Sequence, residues 1–200
     1  MSTEQAYPAP PFDVELAPVL AEINSIVPST ISLDYLVAAR AMSQVPPIDD
    51  LLAARDFVRE DRTVPGLEGD PDITVSILKE RTHVPGGPGI YYIHGGGMVL
   101  GDRMAGVDMT LGWAQLVDAV LVSVEYRLAP EHPDPAPIHD CYAGLVWTAA
   151  HAGELGFDPG RLIIAGASSG GGLTAGTTLM ARDKGGACSS RTDAAVPNAR

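Results

Sequence analysis

From Asp13 onward the apolar residues Leu16, Val19, Leu20, Ile23, Ile26 and Val27 recur at i, i+3, i+4 and i+7, the spacing that lines one face of a helix. Pro28 ends that run. Ser32 stands where it can cap a second short helix carrying Leu33, Leu36 and Val37, and a third is expected around Leu51 to Ala54, after the linker "VPPIDD". Residues 1–54 thus read as a helical N-terminal region without strands, with a Pro-rich start over residues 1–12 that is expected to be disordered.

The period changes after residue 55. "DFVREDRTVPG" and "DITVSILKE" have strand character and are joined by a Gly- and Pro-containing turn, "PGLEGDPD". A strand from Gly89 to Ile93 runs into a glycine loop. A helix is expected from Val107 to Val117 with Val107, Leu111, Ala114 and Val117 on one face. "AVLVSVEYRLAP" is continuously apolar, as in a strand covered on both sides. "APIHDCYAGLVWTAAH" is helical with Ile138, Cys141, Tyr142, Leu145 and Ala149 aligned, and "RLIIAG" is a further buried strand. A last helix runs from about Ser169 to Asp183, with Leu173, Thr177 and Met180 toward the sheet and Gly185-Gly186 at its end. The order β, β, β, α, β, α, β, α predicts an α/β fold with a mostly parallel sheet and helices on both faces. The text after Gly186 has neither period, so residues 187–200 are expected to be a disordered tail.

Composition narrows the function classes. At 200 residues with 46% hydrophobic and 19% charged residues, the chain has the make-up of one soluble globular domain. A net charge of -12 with scattered basic residues argues against nucleic acid or an anionic membrane as partner. Two cysteines, Cys141 and Cys188, make neither a disulfide framework nor a zinc site. The start "MSTEQAYPAPPFDVE" lacks the basic and apolar regions of a secretory signal, and no apolar run approaches the ~18 residues of a membrane span, so the expected location is the cytoplasm.

Two glycine-rich turns carry the candidate chemistry. Gly166-x-Ser168-x-Gly170 lies between a strand and a helix, the setting of a nucleophile elbow. There a serine on a tight turn projects from the C-terminal edge of the sheet, and small neighbours let strand and helix approach. A phosphate-cradling loop would occupy the same place, but no Lys-Ser/Thr follows the glycines. Helix-on-sheet packing alone would account for Gly172 and Gly176, though not for a doubled serine at the turn. The second turn is His94-Gly95-Gly96-Gly97, also after a strand, whose glycines let backbone amides converge as an oxyanion hole requires. His94 is read as ordering that loop rather than as a base. In "VEYRLAPEHPDPAPIHD" the residues His132, Asp134, His139 and Asp140 invite a metal site, but ligand spacing and cysteine support are missing.

"YYIHGGGM", "VEYRLAPEHPDPAPIHD" and "DPGRLIIAGASSGGGLTAG" together resemble the hormone-sensitive-lipase-like, or bacterial family IV, esterases of the α/β-hydrolase superfamily, over about residues 55 to 186. The resemblance implies a helical cap at 1–54, a partial α/β-hydrolase core at 55–186, and hydrolysis of short- to medium-chain carboxylic esters with no metal or organic cofactor. It implies Ser168 as nucleophile, the amides of Gly96, Gly97 and Ser169 as oxyanion hole, Gly95 as shaping the loop and His94 as ordering it. Arg127 and Glu131 fall in a loop that is structural in the family. The elbow departs from the commonest family pattern in having Ala167 and Ser169 beside the serine.

A serine hydroxyl needs a general base, and in this fold the triad order is Ser, then Asp or Glu, then His. No histidine follows Ser168, and only Asp183 and Asp193 are acidic after it. The expectation is a member truncated after the nucleophile helix, by a frame slip near Gly186, with impaired hydrolysis. The alternative is a non-catalytic remnant that at most binds an acyl ligand. With no later partner for "RLIIAG", an exposed sheet edge and self-association through it are expected.

Overall fold

The computed structural model describes residues 11–27, 30–42 and 48–185. The disorder expected at the start lies outside the described residues as far as residue 10. Pro28, residues 45–47 of the linker, Gly186 and the tail expected at 187–200, with Cys188, lie outside them altogether.

The chain falls into two compact units, Met1–Ala38 and Ala39–Arg200. In the first, α1 (Ala17–Ile26) opens with Pro18 in its first turn, where the missing N–H costs nothing, and buries none of its residues. The next helix, α2 (Leu33–Met42), is capped as its sequence predicts, Ser32 Oγ accepting the N–H of Tyr35 at 3.1 Å.

The second unit contains α3 (Ile48–Ala54), β1 (Phe57–Val64), β2 (Ile73–Glu80), β3 (Gly87–Ile93), α4 (Val107–Val117), β4 (Val120–Glu125), α5 (Ala136–Ala150), α6 (Ala152–Leu155), β5 (Phe157–Gly166) and α7 (Ser169–Asp183). Among the described residues its five strands lie in the order β1-β2-β4-β3-β5. The sheet is mixed: β3 pairs in parallel with β4 and β5, whereas β1 with β2 and β2 with β4 are antiparallel. Connection length explains the division. A turn joins β1 to β2, while the parallel strands are linked through α4 and through α5 with α6.

Alternation along the strands builds a core on each face. Tyr91 and Ile93 join Val75, Val122 and Val124 beneath Cys141 and Leu145 of α5 and Leu173 of α7. Ile90 and Tyr92 join Leu78 and Leu121 beneath Val107, Leu111 and Ala114 of α4. Val117, expected on that face, is instead 53% exposed, and Thr110 is buried in the same helix. The helix has already left the sheet at Val117, because Asp118 turns the chain back at φ 48°.

One row across four strands is polar. Asp61 pairs with Ser76, Ser76 with Ser123 and Ser123 with Tyr92. Arg103 lies over this row, donating to Ser76 Oγ at 2.8 Å and pairing with Asp61 at 3.0 Å and Glu125 at 2.7 Å. The segment between β3 and α4 is thereby pinned at its far end. Hydrogen bonds from Arg59, Ser76 and Arg103 hold the Asp61 carboxyl well below the usual carboxylate range. A carboxylate depressed in the folded state stabilises above its unfolded value, about 3.9, and that contribution is lost as pH falls toward the folded value. Asp61→Asn should therefore flatten the loss of stability on acidification, read as the urea midpoint between about pH 5 and pH 2.

Candidate active site

The parallel register of β3 and β5 pairs Ile93 with Gly166. The next residues of each strand, His94–Gly97 and Ala167–Ser168, therefore leave the C-terminal edge of the sheet side by side. They touch: a Cβ added at Gly95 would lie 2.9 Å from the Ala167 carbonyl oxygen and 3.5 Å from Ser168 Cβ.

Ser168 has φ 54° and ψ -120°, a conformation that strains any residue bearing a Cβ. Its surroundings hold it there. The Gly170 N–H donates to the Ala167 carbonyl at 2.8 Å, and the Gly171 N–H donates to the Ser168 carbonyl at 2.9 Å. The side chain is exposed and makes no cap hydrogen bond to its own helix, so α7 does not consume the hydroxyl. The turn is tight enough to exclude a methyl group at two places. A Cβ at Gly166 would sit 2.3 Å from the Gly170 carbonyl oxygen, and one at Gly170 would sit 2.2 Å from the Ile93 carbonyl oxygen. Helix-on-sheet approach thus rests on Gly166 and Gly170. Gly172, which packing was expected to explain, has open space where a Cβ would go, and Gly176 approaches Ile138 of α5 rather than the sheet.

In the neighbouring loop Gly96, Gly97 and Met98 take φ of 118°, 65° and 63° in succession. The Gly96 carbonyl is turned inward, accepting from the N–H groups of Val99 at 3.1 Å and Leu100 at 2.9 Å. Among the described residues the N–H groups of Gly96, Gly97 and Ser169 donate to no backbone carbonyl, which leaves three donors at one edge of the sheet. Beside them opens a cavity of about 330 Å³ lined by Tyr92, Gly95, Gly96, Leu100, Ala105 and Ala167.

His94 is fully buried. Its ring stacks on Tyr126 with centroids 4.1 Å apart, and Nδ1 lies 2.7 Å from the Gly95 carbonyl, which it meets as an N–H donor. Burial pushes its pKa down, so the ring is neutral, and Nε2 is buried without a partner among the described residues. The Tyr126 hydroxyl donates to the His94 carbonyl at 2.9 Å. Tyr126 lies in the motif "VEYRLAPEHPDPAPIHD" but no pattern rule singles it out; its stacking on a histidine 32 residues earlier is a tertiary fact.

The other histidines are committed elsewhere or remote. His83 lies between Asp118 at 2.6 Å and the Gly156 carbonyl at 3.0 Å, ahead of β3 and so at the opposite edge of the sheet. His151 ends α5 at that same edge and stacks on Trp147. His139, in the first turn of α5, meets Asp70 at 2.8 Å. His132 is exposed in the loop between β4 and α5. Asp140 is fully buried and engaged by the Arg127 guanidinium, which also reaches Asp70. Asp183 ends α7, on the order of 20 Å from Ser168 at 1.5 Å per residue, and pairs with Arg182. Among the described residues, then, no histidine ring hydrogen-bonds to Ser168. Asp193 lies outside the described residues.

The sequence profile of the α/β-hydrolase fold family matches residues 90–197. Carboxylesterase NlhH of Mycobacterium tuberculosis is 38% identical over 174 residues, covering 86% of this chain and 54% of that protein. Esterase LipI of the same organism is 46% identical over 99 residues, 50% of this chain and 31% of that protein. Among solved structures, a bacterial heroin esterase superposes with a TM-score of 0.68 at 36% identity, over 84% of this chain and 53% of that one. An esterase of Pyrobaculum calidifontis gives 0.67 at 32% identity, over 88% and 55%. The chain spans about half the length of the curated relatives it matches.

The glycine geometry predicts opposite outcomes for two neighbouring substitutions. Gly170→Ala forces a Cβ against backbone and should destabilise by at least about 1–3 kcal/mol. Gly172→Ala adds a helix-favouring methyl into open space and should stabilise by about 0.5–1 kcal/mol. Urea denaturation of both variants checks the pair.

Proposed function

The chain belongs to the α/β-hydrolase fold family, within its hormone-sensitive-lipase-like (bacterial family IV) esterases, and from that membership we propose that it carries the nucleophile and oxyanion loop of a carboxylic ester hydrolase. The substrates are small-molecule esters of short- to medium-chain acids. Ser168 Oγ attacks the ester carbonyl carbon. The N–H groups of Gly96, Gly97 and Ser169 receive the negative charge that develops on the carbonyl oxygen, Gly95 lets the loop lie against the elbow, and His94 orders it. The observation that carries this reading is the contact of the two loops at the paired ends of β3 and β5.

Attack by a neutral hydroxyl requires something to take its proton, and later something to protonate the departing alkoxide. The commitments of four of the five histidines, with His132 exposed in a loop, favour a second feature of the reading: the described residues hold the electrophile-stabilising half of the site without its base. The alternative, a non-catalytic chain that binds an acyl ligand beside Gly96 and Gly97, rests on the same observation.

Hydrolysis of p-nitrophenyl butyrate by the purified chain, with Ser168→Ala as control, separates these statements. Little or no Ser168-dependent turnover is expected, apart from the residual rate that an oxyanion hole and binding support without a full triad. Robust turnover abolished by Ser168→Ala would require a base the site does not contain and would overturn the base-less account.

The β5 edge adds a further expectation. At the β1 edge, Arg59 and Arg62 pair with Asp61 and Glu60, whereas β5 presents Leu162, Ile163 and Ile164, with Ile163 37% exposed at the sheet edge. An apolar edge of this kind recruits a strand from a second copy. Sedimentation should show self-association that Ile163→Lys reduces; a monomer at all concentrations refutes it.

A further inference from the structure

Arg40 reaches the candidate oxyanion loop from far away in the sequence. Its Nε donates to the Val99 carbonyl at 2.7 Å and its Nη2 to the Ala129 carbonyl at 2.8 Å. The same guanidinium meets both oxygens of Glu131, at 2.8 and 3.1 Å. Ala129 in turn donates its N–H to the Met98 carbonyl at 2.9 Å. The carbonyls of Met98 and Val99 are thus both drawn to one side, by Ala129 and Arg40. These two residues directly follow Gly96 and Gly97, the pair whose N–H groups are left without backbone partners.

The backbone here does not stay in place by preference. Met98 carries a Cβ at φ 63°, a conformation such residues rarely adopt and keep only where the surroundings over-determine it. The Arg40–Glu131 pair is 28% and 54% exposed, and an ion pair so open to water contributes little by itself. What distinguishes the arrangement is that one planar fork spans two carbonyls and a carboxylate at once. A lysine ammonium, a single point of charge, cannot do this.

We propose that Arg40 is a positioning residue for the oxyanion loop: by holding Val99 and Ala129 together, it fixes the left-handed run Gly96–Gly97–Met98 and aims the two glycine amides at the Ser168 side of the loop. The proposal rests on the reading of Gly96 and Gly97 as oxyanion donors. Glu131, read from the sequence as loop structure, orients the fork.

The test compares wild type with Arg40→Met, Arg40→Lys and Glu131→Gln in two measurements. The first is residue-resolved amide hydrogen exchange. The N–H groups of Val99 and Leu100, which close the loop onto the Gly96 carbonyl, should exchange about tenfold faster in Arg40→Met, while amides of β3 and β4 keep wild-type protection. Arg40→Lys should fall nearer to Arg40→Met than to wild type, and Glu131→Gln should lie between. The second is the rate at which an alkyl fluorophosphonate modifies Ser168, read by intact mass. An Oγ–P bond forms, the P–F bond breaks, fluoride leaves and the hydroxyl proton passes to buffer. Arg40→Met should slow this about tenfold, because the phosphoryl oxygen loses aligned donors.

Unchanged loop exchange in Arg40→Met overturns the proposal. So does a uniform loss of protection through β3 and β4, which marks Arg40 as a general stabiliser. Failure of the reagent to modify Ser168 in wild type even at alkaline pH, where attack needs no resident base, sinks the nucleophile reading instead, and the exchange measurement then still decides whether Arg40 sets the loop.

Discussion

Because Ile93 pairs with Gly166 in the parallel ladder of β3 and β5, two loops distant in sequence leave the sheet at one level and lie in contact. A slip of one residue would turn Tyr91 and Ile93 out of one core and Ile90 and Tyr92 out of the other, so burial on both faces fixes the register. The elbow geometry then depends on how closely α7 can start beyond β5. That approach is set by Gly166 and Gly170, whose backbones meet atoms at distances no Cβ tolerates. Strain at Ser168 and along Gly96–Met98 is met by this packing and by the hydrogen bonds around it, with Arg40 and Arg103 bonded at the far side of the loop.

What could be read from the sequence follows from which interactions are periodic. The helices Val107–Val117 and Ser169–Asp183 match their expected bounds, because buried residues recur along them with the helical period. The strand Val120–Glu125 was legible as a continuous apolar run since both its neighbours are strands and both its faces are covered. The four-residue α6 is too short to display a period, and β5 begins at Phe157, before its apolar run, through a register irregularity opposite Gly87–Gly89. The antiparallel half of the sheet was not implied by alternation of strands and helices. It follows from a β1–β2 connection with no crossover helix.

At the site the division is similar. The two glycine-rich turns and their candidate roles were visible because their spacing relative to strands is local, while the assignment of individual amides to the oxyanion hole came from family resemblance. Helix-on-sheet packing accounts for Gly172 as readily as for Gly170 on sequence alone, yet of the two only Gly170 is pressed against backbone, a distinction that requires coordinates. Arg40 carried no signal at all. Two of its partners are main-chain carbonyls 59 and 89 residues away, which any sequence would present, and the third, Glu131, is 91 residues away. Tyr126 sits within a recognisable motif, but its stack on His94 and its hydrogen bond to the His94 carbonyl arise only when β4 lies beside β3.

On the proposed reading, the described residues supply the charge-stabilising part of acyl transfer through backbone amides, and no histidine ring among them hydrogen-bonds to Ser168 to take up its proton. The most direct test is the pH dependence of Ser168 modification by a fluorophosphonate in wild-type protein. Without a resident imidazole base, the logarithm of the rate should rise steadily with pH, following deprotonation of the hydroxyl itself, and show no inflection near neutrality. A profile that climbs to a plateau with a midpoint near about 6.5, the ordinary histidine value, would reveal a base acting on Ser168 and contradict the account.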